Sequence, residues 1–203
     1  MTVDELLHSV LARLDAKPQC SIMDAANRVQ SIITNRLLLR RSNIIRDALT
    51  ISISEGDEYV AIRPSAGRGL LAMTGIPYIT VDGVRKYMAP FDPALTVPST
   101  AARPKYFERI GRKLFLYPIS DAEYTMTIQA FLSPAVIADM GEDLPFDGML
   151  DDVFSEAVYG VMLLGTAAVN DKAFTTVIDS QVDQVLLAVD MADEQALADA
   201  INH

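Results

Sequence analysis

The chain has 203 residues, half of them apolar, with one cysteine, two histidines and a net charge of −10. That length suits one domain, or one domain carrying an insertion, and can bury a core without disulfides or structural metal. The composition excludes intrinsic disorder, no apolar run approaches the ~20 residues that cross a bilayer, and lone Cys20 forms no internal disulfide and fits a reducing compartment.

The first segment opens with Thr2 followed by Glu5, a capping-box pattern. Its early acids and the lack of a small-residue cleavage site argue against a secretory signal. Leu6, Leu7, Val10, Leu11 and Leu14 recur at helical spacing and predict an amphipathic helix ending at Lys17-Pro18. Ser21 and Asp24 can cap a second helix. Its stripe is Ala25, Ala26, Val29, Ile32, Ile33, Leu37 and Leu38, and it stops near residues 40–43.

The period then changes from 3.6 to 2. Leu49, Ile51 and Ile53 alternate with Thr50, Ser52 and Ser54, which predicts a half-buried strand. Glu55-Gly56-Asp57 is a turn, after which residues 59–62 can pair back as a hairpin. Short strands are expected near residues 70–73 and 78–81, with a turn at Asp82-Gly83 and an extended surface loop over residues 92–100. Residues 104–134 read as two hairpins in a row. Tyr106–Ile110 turns at Gly111-Arg112 into Lys113–Tyr117, and residues 124–132 alternate again after a turn at residues 118–122. Leu114 and Leu116 lie on one face of their strand, Phe115 and Tyr117 on the other.

Helical spacing returns after Pro145. Asp147 precedes a wide stripe of Met149, Leu150, Val153, Phe154, Ala157, Val158, Val161, Met162 and Leu164, so this helix is expected to be central. Gly165 and Asn170 mark its end. Residues 171–201 contain no Gly or Pro, and Phe174, Val177, Ile178, Val182, Val185, Leu186 and Val189 keep helical spacing. One helix of that length reaches ~45 Å; a break at residues 189–192 is the alternative. The fold class is α+β. Residues 1–46 and 142–203 form a helical bundle with an extended C-terminal helix. Residues 47–141 form a central antiparallel β insertion, hairpin- or sandwich-like.

The search for chemistry finds little. His8 and His203 have no partner at metal-ligand spacing, and Cys20 reads as a packed apolar residue. Gly67-Arg68-Gly69 reads as a turn and matches no phosphate-loop pattern. The acids around residues 142–156 are the best candidates for a two-metal site, but only Asp152 and Glu156 share a helical face cleanly. Acids are favoured at a helix start in any case, so Asp151, Asp152 and Glu156 read as a solvated start or as an acidic band facing a partner or a lumen. Arg36, Arg40, Arg41 and Arg46 form a basic cluster at a helix end, for contact with a neighbouring subunit, with DNA, or with solvent. No catalytic residue, metal or cofactor is assigned.

Charge is unevenly divided. Residues 1–117 hold 16 of the 17 bases and 11 acids; residues 118–203 hold one base, Lys172, and 16 acids. Two solvated surfaces of opposite sign would account for this. So would identical subunits packed basic part against acidic part, a heterologous contact that closes into rings or runs into filaments.

The order of segments resembles the head-to-tail adaptor (connector) proteins of tailed bacteriophages. The resemblance is carried by Pro104-Lys-Tyr-Phe, Gly111, Leu114-Phe-Leu-Tyr-Pro118, Tyr124-Thr-Met-Thr-Ile128, Ser133-Pro134 and Glu142-Asp-Leu-Pro145, followed by the helix after Leu150. It covers about 60 residues well and the rest in outline. Departures are the run Val158-Tyr-Gly-Val-Met-Leu-Leu-Gly165 where the family is Ala-rich, and an unusually acidic C-terminus. The resemblance implies a structural virion protein, assembled in the host cytoplasm. Its copies would form a ring, twelvefold, beneath the portal protein, extend the DNA channel and offer a platform to tail or nozzle proteins. DNA would pass through the lumen without sequence-specific binding, and no membrane is involved. On this reading Val189, Leu197 and Ile201 dock to the portal. A tail-completion or other accessory structural protein is the alternative, and an acidic-site metal hydrolase the competing class.

Overall fold

A computed structural model of the chain describes residues 1–15, 17–64, 67–96, 100–146, 148–165, 168 and 170–201, and, of these, all side chains but those of residues 190 and 192–201. The described residues build an α+β fold that separates into two compact units, Met1–Ile45 with Pro134–His203, and Arg46–Ser133.

The first unit is helical. Helix α1, Val3–Leu11, starts with the capping box that Thr2 and Glu5 foretell: the Glu5 amide donates to Thr2 Oγ1 (3.3 Å) and the Thr2 amide to Glu5 Oε2 (2.8 Å). Val3, Leu6 and Val10 are its buried face. The stripe predicted to run through Leu14 to Lys17-Pro18 stops early. The amides of Arg13 and Leu14 instead close tight turns onto the carbonyls of Val10 and Leu11, and Leu11 is 45% exposed. Among the described residues of 11–20 no apolar side chain is fully buried, so another helical turn would gain little. Helix α2, Ile22–Leu39, is capped by Ser21, whose Oγ accepts from the Asp24 amide at 3.1 Å. It buries Ala25, Ala26, Val29, Ile33 and Leu37, and a single 3₁₀ turn, Asn43–Ile45, follows it.

Helix α3, Asp151–Leu164, packs against α1 and α2 and against α4, Lys172–Ile201. The expected wide stripe is buried from Leu150 to Met162, whereas Met149 and Leu164 at the two ends are exposed. Asp147, read as preceding this helix, lies outside the described residues. Asp171 caps α4, its Oδ1 accepting from the amides of Ala173 (2.7 Å) and Phe174 (3.2 Å). The 30 residues of α4 form one uninterrupted helix, without the break considered at residues 189–192. Its inner face is Ile178 and Val182, while Val177, counted in the stripe, is 58% exposed. The segment after Ser133 runs along α2, where the Asn27 amide nitrogen donates to the Ile137 carbonyl (3.0 Å) and its carbonyl accepts from the Ile137 amide (2.9 Å).

The second unit is β. Its strands are β1 (Arg46–Ile53), β2 (Tyr59–Ala61), β3 (Gly69–Met73), β4 (Tyr78–Val81), β5 (Val84–Tyr87), β6 (Ala89–Pro90), β7 (Tyr106–Ile110), β8 (Lys113–Tyr117) and β9 (Tyr124–Ser133). One sheet has the order β1-β9-β4-β5, with β3 also on β9; the other runs β2-β8-β7-β6. Alternate residues of both sheets, among them Leu49, Ile53, Val60, Ile79, Leu114, Leu116, Met126 and Ile128, meet in one core. Asp82 (φ +50°) and Gly83 (φ +75°) form the primed turn joining β4 to β5.

Two expected hairpins do not form. Strands β7 and β8 pair as read, but β8 has β2 on its other side and no edge left for β9. Strand β9 instead pairs with β1 over eight residues, from Arg46 opposite Phe131 to Ile53 opposite Tyr124. Nor does β2 fold back on β1, although β1 is an edge strand paired only with β9 among the described strands. The chain crosses from one sheet to the other at the turn after Ile53, and β2 takes the β8 edge. The register explains the choice: it turns Leu49 and Ile53 of β1 and Val60 of β2 into one core from opposite sheets.

Candidate functional site

Two surfaces gather residues that sequence singled out as candidate sites, and the structure adds a third. The first is where α2 ends against α4. Arg36 and Arg40, one helical turn apart, both reach Asp183 of α4. Each Nε donates to Oδ1 at 3.0 Å, the terminal amine of Arg40 donates to Oδ2 at 2.6 Å, and that of Arg36 makes the fourth contact. The two guanidinium groups, Arg40 first and then Arg36, lower the Asp183 carboxyl from 3.8 to about 2. A cleft of about 540 Å³ opens beside this clamp, lined by Arg40, Arg41, Ile44, Leu186, Leu187 and Val189 among others. Arg41 sits just past the helix with φ +53°. Arg46 lies on β1, in the second unit, and donates to the Gln129 side-chain carbonyl. Of the three C-terminal residues, Val189 is half-buried; the side chains of Leu197 and Ile201 lie outside the described residues, as does His203.

The second surface is the start of α3. Asp151 accepts from the Met1 amino group at 3.2 Å and raises its pKa, while Asp151 Oδ1 is buried without a partner among the described residues. Glu156 is held by Arg13 through two bonds of 2.7 and 3.0 Å, which lower its pKa, and Arg13 also lies 4.6 Å over the Tyr159 ring. Asp152 sits with Glu156 at a shallow depression against α4. Asp151 and Glu156 are thus taken by separate cationic partners, and Asp152 makes no ion pair among the described residues. Among the described residues no group of three acids, histidines or cysteines could hold a metal ion. Cys20 is half-buried, points its Sγ at the Val161 carbonyl (3.8 Å), and has its pKa raised by burial, which suppresses the thiolate. His8 Nδ1 lies 2.8 Å from the Asp4 carbonyl on the exposed side of α1.

The third surface was not assigned a role from sequence. The outer face of the β2-β8-β7-β6 sheet is aromatic. Register places Tyr59 opposite Phe115, and Tyr106 opposite Tyr117, on the face away from Val60, Leu114 and Leu116. Phe91 stacks on Tyr117 at 4.1 Å. The Tyr117 hydroxyl donates to Glu108 Oε2 (3.2 Å), and burial, then this carboxylate, raises its pKa. The signal was present in Lys113–Tyr117, where both parities of the strand are apolar or aromatic.

An α+β fold with ion-paired helix ends, a long terminal helix and an aromatic sheet face is organised around surfaces, and the family suggests a protein without catalytic function. The model of the family described as SU10 adaptor protein matches residues 1–202, and the chain belongs to that family of phage head-to-tail adaptors. No curated protein matches the chain. It is therefore a structural adaptor protein of a bacteriophage. The family implies a virion component that interacts with portal and tail proteins.

Proposed function

We propose that copies of this chain form a closed ring between the portal and the tail, extend the DNA channel and carry the tail-attachment platform. Membership of the adaptor family over residues 1–202 is the observation that carries this reading. Charge supports it: the helical unit holds seven bases and eighteen acids, an excess of acid that lets a phosphate backbone slide without sticking. The continuous α4 supports it too, since its last turns can enter an apolar groove on the portal through Val189, Leu197 and Ile201. Arg40 and Arg41 at the α2 end face the neighbouring subunit, and Asp152 with Asp151 and Glu156 lines the lumen or that same contact. The portal supplies the symmetry, so the free chain associates only weakly. Mixing the chain with portal rings and imaging the product by cryo-electron microscopy tests this: a ring of twelve copies coaxial with the portal is expected. A portal that stays bare, or a stable closed ring of the free chain at micromolar concentration, refutes it.

A further inference from the structure

Among the described residues, the aromatic face of the β2-β8-β7-β6 sheet is only partly covered. Tyr59 is 43% exposed, Phe115 and Tyr117 are half-buried, and Ile110, 55% exposed, extends the surface to the β7–β8 tip. Tyr59 and Phe115 lie 5.5 Å apart, with Lys113 Nζ 4.0 Å over the Tyr59 ring. The tip is basic. Arg109, Arg112 and Lys113 are all exposed, and residues 103–117 hold five bases against one acid, Glu108. Rings at the centre and charges at the rim are the composition of a protein interface.

We infer that this face docks the helical unit of a second copy of the chain. Charge selects the occupant, because the helical unit carries eighteen acids against seven bases. One of its loops carries the charges that such a contact needs. Asp139, Glu142 and Asp143 are exposed there beside Val136, which is 69% exposed. The start of α1 holds that loop in place. The Val3 amide donates to the Glu142 carbonyl (3.0 Å), the Asp4 amide to the Met140 carbonyl (2.9 Å), and the Leu144 amide to the Met1 carbonyl (2.8 Å). A preformed acidic loop loses little freedom on docking. Duplex DNA fits less well. Its stacked bases offer nothing to rings that already lean on one another, and Glu108 on the same face repels phosphate. Sheet face to helical loop is a heterologous contact, so one such interface per subunit suffices to build a ring. The inference rests on the ring reading for that closure alone.

The full chain tests it in two ways. Equal amounts of unlabelled and ¹⁵N-labelled protein are mixed at high concentration and joined with a zero-length carbodiimide. Mixed-isotope links from Lys113 to Asp139, Glu142 or Asp143 are expected. By sedimentation, the reversal R109E/R112E/K113E weakens self-association on the order of tenfold, as rim charges do, and adding D139K/E142K/D143K restores it, which also shows that the variants fold. Links confined to other surfaces, no links at all, or a reversal that associates like the parent protein each overturn the inference. So does a restoring set that fails to restore, or a reversal that loses only binding to a duplex oligonucleotide. Portal capture is read separately: links that form in a chain the portal ignores refute the ring and leave this contact standing.

Discussion

Gly160 of α3 lies directly against the Phe174 ring of α4, and substituting it measures whether the terminal helix is docked. A Cβ at Gly160 would stand 2.5 Å from Phe174 Cε2 and 3.2 Å from Cζ. Two effects then oppose each other. Replacing Gly by Ala inside a helix gains about 1 kcal/mol of propensity. Forcing a half-buried ring at the first turn of α4 to move costs about 1–3 kcal/mol. The overlap is deep enough for the second to win, so Gly160→Ala is expected to destabilise by about 1 kcal/mol net. In a Phe174→Ala background the obstacle is gone and the same substitution should stabilise by about 1 kcal/mol, a coupling of about 2 kcal/mol. Urea unfolding of the four proteins, followed by far-ultraviolet circular dichroism, gives the cycle. If Gly160→Ala stabilises the parent chain, or costs the same with and without the Phe174 ring, α4 does not cross α3 at this point.

Other outcomes follow from the same contacts. Asp183→Asn should destabilise by about 1 kcal/mol at neutral pH, less than the full shift implies because Arg40 is largely exposed. Asp183 has a lowered folded-state pKa, so its contribution is present above the ordinary value of 3.8 and lost as pH falls through about 2; parent and variant should converge in acid urea titrations. Phe154→Ala removes the largest fully buried side chain among the described residues and should cost about 3–5 kcal/mol by the same assay. A chain ending at Asp190 keeps Ile178 and Val182 and should hold its Tm within a few degrees while failing to join portal rings in a pull-down; normal capture would move the docking surface to Arg40 and Arg41.

Features set by neighbours in sequence were legible before the structure. Both N-caps, Thr2 with Glu5 and Ser21 with Asp24, and the strands β1, β3, β4, β7, β8 and β9 fall where residue type and period put them. What depends on distant partners was not. The hairpins read at β1–β2 and β8–β9 satisfy every local rule, but the strands pair across sheets, because one core must be closed from both sides. Strand β5, Val84–Tyr87, escaped because it is exposed on both faces and shows no alternation. In the candidate sites, helical spacing brought Arg36 and Arg40 together correctly, but nothing local pointed to Asp183 as their shared partner or placed Arg46 in another unit.

The order in which the strands of the β unit are made has a consequence for synthesis. Strand β9 is the hub of its sheet, bordered by β1, β3 and β4, yet it is the last of the nine to be translated. Until Ser133 has left the ribosome, β1, β3 and the β4-β5 hairpin lack their shared partner, although every strand of the β2-β8-β7-β6 sheet has already been made. The helical unit waits longer, because α1 and α2 are made first while their partners α3 and α4 are made last. Such nested, non-local closure is slow. Throughout that interval the stripe of Ala25, Val29, Ile33 and Leu37 stands open to water on the nascent chain, a binding site for chaperones and a seed for aggregation. Ribosome-bound chains stalled before and after α3 should differ sharply in protease resistance at α2, and equal resistance in the two would mean that α2 finds shelter without its native partner.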